Sequence, residues 1–126
     1  MALVELLEAI TDKIPCWYVG HCDVRDVALA HYRGAFLAEA IGHRHIIISL
    51  NKYMTMKTAA DILDQEFGSK GYKIPREQEP NEDPNNFAEN KRMIKVLGIT
   101  PTDYKKTIID MAHSLINAGL VKKPSF

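Results

Sequence analysis

Asp23-Val24-Arg25-Asp26-Val27-Ala28-Leu29-Ala30-His31 is the stretch whose reading decides the fold. Asp23 is a strong N-cap, because its carboxylate can accept a hydrogen bond from an unpaired amide of the first helical turn. Asp26 adds negative charge where the helix dipole favours it. Val24, Val27, Ala28, His31 and Ala35 recur at helical spacing, which predicts a helix with that face buried. Just ahead of the cap, Trp17-Tyr18-Val19 reads as a short strand feeding the helix.

Working outward toward the N-terminus, the apolar residues from Leu3 to Ile10 form a helical stripe, and Pro15 fixes the following turn. On the other side the central helix runs to about Ala40, with Gly42 as its stop. Residues 44 to 50 contain the unbroken β-branched run Ile46-Ile47-Ile48, which predicts a strand apolar on both faces, as in a covered parallel sheet. Thr55 or Thr58 caps the next helix, whose buried face is Met56, Ala59, Ala60, Leu63 and Phe67. Gly68 and Gly71 close that helix, and Tyr72 to Pro75 is extended. Residues 76 to 89 are rich in acids, asparagine and proline and have almost nothing apolar, so a mobile acidic loop is expected. Asn90 is the expected cap of a short helix ending at Gly98. Pro101-Thr102-Asp103 starts a last helix with Tyr104, Ile108, Met111, Ala112, Leu115 and Ile116 on one face and Gly119 at its end.

A chain of 126 residues fits a single domain, 1–126, large enough for a core. Sixteen basic residues balance sixteen acidic ones, so no global field recruits nucleic acid or an anionic membrane. The lysines of the C-terminal third lack interleaved aromatics for base stacking and read as a solvated face. No apolar run is long enough to span a bilayer, and no leader opens the chain. Cys16 and Cys22 are too few for a disulfide framework or a full zinc set, so a cytoplasmic protein with reduced thiols is expected.

The nonapeptide resembles the DVRDVA-x-AH segment of the extended short-chain dehydrogenase/reductases, in the branch holding dihydroflavonol, cinnamoyl-CoA and methylglyoxal reductases. His43-Arg44-His45-Ile46-Ile47-Ile48-Ser49 resembles the strand after the family's helix. Ile62-Leu63 through Glu66-Phe67 and then Tyr72-Lys73-Ile74-Pro75 resemble its "helix, then aromatic-x-x-Pro" passage. Asn90-Lys91 to Leu97-Gly98-Ile99, and the helix ending Ala118-Gly119-Leu120, resemble its closing segments. The likeness spans about residues 15 to 123. It implies the C-terminal, substrate-side portion of an α/β reductase fold: mostly helical, with two or three short strands, lacking the N-terminal dinucleotide-binding half. It further implies NADP or NAD for the intact family, and a substrate-pocket wall at Trp17 and Tyr18.

Reductase chemistry needs a glycine-rich turn for the dinucleotide pyrophosphate. The seven glycines are scattered, at 20, 34, 42, 68, 71, 98 and 119, so no cofactor-binding residue is assigned. It also needs a Tyr-x-x-x-Lys pair, in which the lysine lowers the phenol pKa for proton transfer. Tyr53-Met54-Thr55-Met56-Lys57 matches that spacing. It lies downstream of the DVRDVA segment, whereas the family's pair lies upstream, and Tyr53 precedes the helix cap. Tyr53 and Lys57 are therefore the only catalytic candidates, and silence is expected of both. His43 and His45 alternate along the expected strand, with His21, Cys16 or Cys22 as third ligands, but no spacing matches a metal site and none is assigned. His31 on the apolar helix face reads as a hydrogen-bonded core residue. Two functions follow: a substrate-side reductase segment inactive by itself because the cofactor and catalytic motifs are missing, a truncated form of the family fold; or a non-enzymatic assembly protein derived from a reductase tail. In either case the open edge of the 44 to 50 strand predicts a homo-oligomer, or pairing with a separate N-terminal half.

Overall fold

The computed structural model describes residues 2–16, 18–49, 54–80 and 88–125, with backbone only for Tyr18 and Val19. Among the described residues the regular structure is mainly five α-helices: α1 (Ala2–Leu7), α2 (Val24–Phe36), α3 (Met56–Phe67), α4 (Lys91–Lys95) and α5 (Tyr104–Asn117). Two strands of two residues each, β1 (Tyr18–Val19) and β2 (Met54–Thr55), pair as a two-stranded sheet. Single turns of 3-10 helix follow α2 at Ala38–Ala40 and α3 at Gly68–Lys70. The architecture is thus the mostly helical α/β fragment that the sequence implies.

The chain resolves into two compact units, each assembled from separated stretches. The first comprises Met1–Val19, Thr55–Asp83 and Lys105–Phe126; the second comprises Gly20–Met54 and Pro84–Tyr104. In the first unit the core is built on α3. Thr55 caps it by accepting a hydrogen bond from the Thr58 amide at 3.1 Å, and Met56, Ala59, Ala60, Leu63 and Phe67 are all buried, the face the spacing predicts. Leu6 and Leu7 of α1, Ile108 and Ala112 of α5, and Val121 join this core. Gly71, at φ 91°, ends the α3 segment in the left-handed region, where a side chain would be strained.

The expected acidic loop starts with more order than its composition suggests. Ile14 and Gln78 form a parallel bridge, in which the Ile14 amide donates to the Glu77 carbonyl at 2.7 Å and the Glu79 amide donates to Ile14. Residues 81–87, the centre of the expected mobile loop, lie outside the described residues.

In the second unit Ala30, Ala40, Met93, Leu97 and Ile99 pack together, with Leu37, Ile47 and Val96 against them. Two expectations are corrected here. Residues 44–49 do not form a strand, although Ile48 is buried. A strand needs a neighbour to complete its ladder, and among the described residues this segment's bonds are isolated ones: the Ser49 amide donates to the His21 carbonyl at 2.9 Å, the Ile48 carbonyl accepts from the Asn90 side chain at 3.0 Å, and the Arg44 carbonyl accepts from Arg92 at 3.1 Å. Asn90 stands at the N-cap of α4 as expected, but its side chain makes no capping bond there and donates from Nδ2 to Ile48 instead.

The second correction concerns α2. Its predicted buried face, apart from Val27, is the exposed one: Val24, Ala28, His31 and Ala35 all face solvent, as do Leu29, Tyr32 and Phe36. The inward side carries Asp26, Ala30, Arg33 and Gly34 instead. Helical periodicity locates a stripe but not what covers it, and here polar bonds decide which side turns inward.

Candidate functional site

Those polar bonds begin at the N-terminus of α2. Asp23 is buried and accepts from the Arg25 amide at 2.9 Å, while the Arg25 guanidinium returns to the same carboxylate through Nε at 2.7 Å and Nη2 at 2.6 Å. One carboxylate therefore caps the helix and holds a bidentate arginine. Asp26, one turn on and also buried, accepts from the Thr102 amide at 2.7 Å and from the Thr102 hydroxyl at 2.8 Å. At the far end Arg33 donates from Nη1 to the Leu97 and Gly98 carbonyls, both at 2.7 Å. The helix is thus latched at both ends to the 97–102 segment by charged groups whose hydrogen bonds replace their lost hydration.

Between the latches lies an open cleft of about 320 Å³, lined by Ala30, His31, Gly34, His45, Ile47 and Leu97. His31 is exposed rather than a core residue, and its Nδ1 bonds to the Val27 carbonyl at 2.8 Å. His45 reaches back to the Ala40 carbonyl through Nε2 at 3.2 Å, while His43 is exposed. With 44–49 not a strand, the alternation expected to align His43 and His45 has no basis. Among the described residues no group of three or more His, Cys, Asp or Glu is placed to hold a metal. Cys16 and Cys22 are free thiols. Burial, with the nearby Asp26 and Asp23 carboxylates, pushes the Cys22 thiol above its ordinary range, so it is a poor nucleophile.

In the first unit Phe67 forms the floor of an aromatic and basic hollow of about 300 Å³. Its ring meets Tyr72 and His113 edge-on at 5.8 and 4.9 Å, and the Lys70 ammonium lies 4.8 Å from its centroid. Lys70 also bonds Glu66 at 2.7 Å, and that hydrogen bond and charge hold the Glu66 carboxyl below the usual carboxylate range.

Of the catalytic candidates, Lys57 lies on the first turn of α3 and bonds Asp61, one turn along the same helix. Tyr53 lies outside the described residues, as do Trp17 and the side chain of Tyr18. The latches at Thr102, Arg33 and Asn90 were invisible to sequence reading, since each joins residues more than 40 positions apart. Among the described residues no helix is long and apolar enough to cross a membrane.

Among the described residues, neither the entry to α2 nor the entry to α3 offers a glycine-rich turn for the dinucleotide phosphates expected of an intact reductase. At the entry to α2, Asp23 and Asp26 put negative charge where a pyrophosphate would bind; at the entry to α3 the junction is a threonine cap. The left-handed glycines Gly42, Gly71, Gly98 and Gly119 lie at helix ends, and a Cβ at Gly42 or Gly119 would meet nothing within 4 Å, so neither cradles a ligand.

No protein-family model matches the chain. It is 35% identical over 109 residues to the NADPH-dependent methylglyoxal reductase GRE2 of Saccharomyces cerevisiae, a match covering 83% of this chain and 31% of that protein. The crystal structure of yeast methylglyoxal/isovaleraldehyde reductase Gre2 complexed with NADPH superposes with a TM-score of 0.69 and 33% identity, over 92% of this chain and 38% of that one. The structure of Gre2 from Candida albicans shares the fold, with a TM-score of 0.72 at 23% identity over 94% of this chain and 35% of that one. The chain therefore spans about a third of the length of these relatives. By sequence and by fold it resembles the C-terminal part of an extended short-chain dehydrogenase/reductase of the methylglyoxal-reductase-like kind.

Proposed function

We propose that the chain is the substrate-side segment of an NADPH-dependent carbonyl reductase acting on small aldehydes or ketones, and that it reduces nothing by itself. The match to the yeast methylglyoxal reductase carries this reading, because sequence and fold agree over most of the chain while a third of the relative is spanned. The absence of a glycine-rich turn from the sequence supports the second half, as does negative charge at the start of α2. In this reading the latches of Asp26 and Arg33 hold α2 so that the cleft beside it forms one wall of a substrate pocket.

A chimera tests the first half: this chain replaces the matching segment of the S. cerevisiae reductase, and NADPH oxidation is followed with methylglyoxal. Activity well above that of the relative lacking the segment is expected; a folded, NADPH-binding but inactive chimera overturns the reading. Titrating the purified chain with NADPH by fluorescence tests the second half. No saturable signal is expected, and micromolar binding would refute it. The alternative, an assembly role, draws on the exposed apolar side of α2, and a chimera without activity would favour it.

A further inference from the structure

The reductase role makes no use of the hollow over Phe67 in the first unit. Phe67 is only 1% exposed and forms an aromatic floor, around which Tyr72, Ile116 and Pro124 supply apolar walls. Lys70, His113 and Lys123 line the same hollow and are exposed, so basic groups stand where the apolar floor opens to solvent. Its volume of about 300 Å³ is at the lower end of the range for small-molecule pockets. A few polar groups around an apolar base select ligands that combine the two characters.

We infer that this hollow binds a small aromatic monoanion, a single ring carrying one carboxylate. Charge decides the anion. Lys70 and Lys123 set against Glu66, which is bonded to Lys70, leave one formal positive charge. That balance suits a single carboxylate, and Glu66 repels a second negative charge. The positive field is visible at Glu66 itself. The Lys70 hydrogen bond and charge hold its carboxyl below the usual range, and the charges of His113 and Lys105 act in the same direction. Geometry favours the ring. Tyr72 and His113 already meet Phe67 edge-on at 5.8 and 4.9 Å, so a ligand ring between them extends an existing aromatic cluster. The Lys70 ammonium is held from two sides, by Glu66 at 2.7 Å and by the Phe67 face 4.8 Å from its centroid. Little side-chain freedom is therefore left to lose when an anion arrives. For a ligand of about ten heavy atoms in an open hollow, a dissociation constant of about 0.1–1 mM is expected. This site does not depend on the reductase reading.

Titration of the purified chain with phenylacetate, followed by backbone amide chemical shifts, tests the inference. Saturable shifts around Phe67, Lys70, Tyr72, His113 and Lys123 are expected, with affinity falling at least about 3-fold between about 0.05 and 0.5 M NaCl because the cations are exposed. Neutral phenylacetamide and ringless acetate should each bind at least about 10-fold more weakly. Lys70→Gln with Lys123→Gln should weaken phenylacetate about 10-fold or more with the helical circular dichroism unchanged, since both side chains are in solvent. Lys91→Gln with Lys95→Gln, on exposed lysines of α4, should leave binding intact. No saturable shift by about 20 mM overturns the inference. So does phenylacetamide binding as tightly as phenylacetate, binding that survives the Lys70/Lys123 change, or shifts confined to the cleft beside α2.

Discussion

Single residues decide how α2 is held. Asp26 is buried and accepts two hydrogen bonds from Thr102, so removing its carboxylate leaves a backbone amide and a hydroxyl without those partners. Asp26→Ala is expected to destabilise the chain by about 1–3 kcal/mol, and Asp26→Asn by less, because one acceptor oxygen remains. Urea unfolding of the three proteins measures the difference. The same carboxylate, with Asp23 and burial, raises the Cys22 thiol pKa. At a given pH less thiolate is present than on a free thiol, so iodoacetamide labelling of Cys22 at pH 8 should lag behind that of glutathione, as read by peptide mass mapping. The linkage has a defined sign. The folded state holds the thiol proton more tightly than the unfolded state does. Its contribution is therefore complete below the ordinary thiol pKa and declines as pH rises through the raised one.

Elements differ in how far their sequence dictates their surroundings. Helix α3 is fully legible: cap, apolar stripe and stop are all local, and all stand where the residues put them. Thr55→Ala should therefore cost about 0.5–2 kcal/mol through loss of the Thr58 capping bond, measurable as a lower thermal midpoint, while Thr55→Asn should retain most of the stability. Helix α2 is legible at its start, but it ends at Phe36 rather than running to the expected Ala40, where a separate 3-10 turn stands. Its cap at Asp23 is local, but the choice of inward side rests on Thr102, Leu97 and Gly98, far along the chain. The 44–49 segment is the opposite case: its β-branched composition favours a strand, yet a strand exists only when another completes its hydrogen bonds. Burial of Ile48 and the bonds at Ser49 and Ile48 fix this segment without a ladder.

At the scale of the whole molecule, the five helices and two two-residue strands among the described residues predict a far-ultraviolet circular dichroism spectrum dominated by helix. A β-dominated spectrum would contradict the fold. The chain's relation to longer reductases was readable from the order of short motifs, because helix caps, glycine stops and apolar spacing persist in a third of a fold as they do in the whole. The amino-acid sequence by itself therefore determined the caps of α2 and α3, the buried face of α3, and the likeness to a reductase's C-terminal part, but not the ends of α1 and α2, which stop at Leu7 and Phe36 rather than near Ile10 and Ala40. It located no glycine-rich phosphate cradle. Tertiary structure alone decided that the apolar stripe of α2 faces outward, that the Ile46–Ile48 run is not a strand, and that Asp26, Arg33 and Asn90 act as latches. The physical reason is the range of the interactions. Caps and turns are settled by residues within a few positions of one another. Which face is buried, and which strand is completed, depends on groups that only folding brings together.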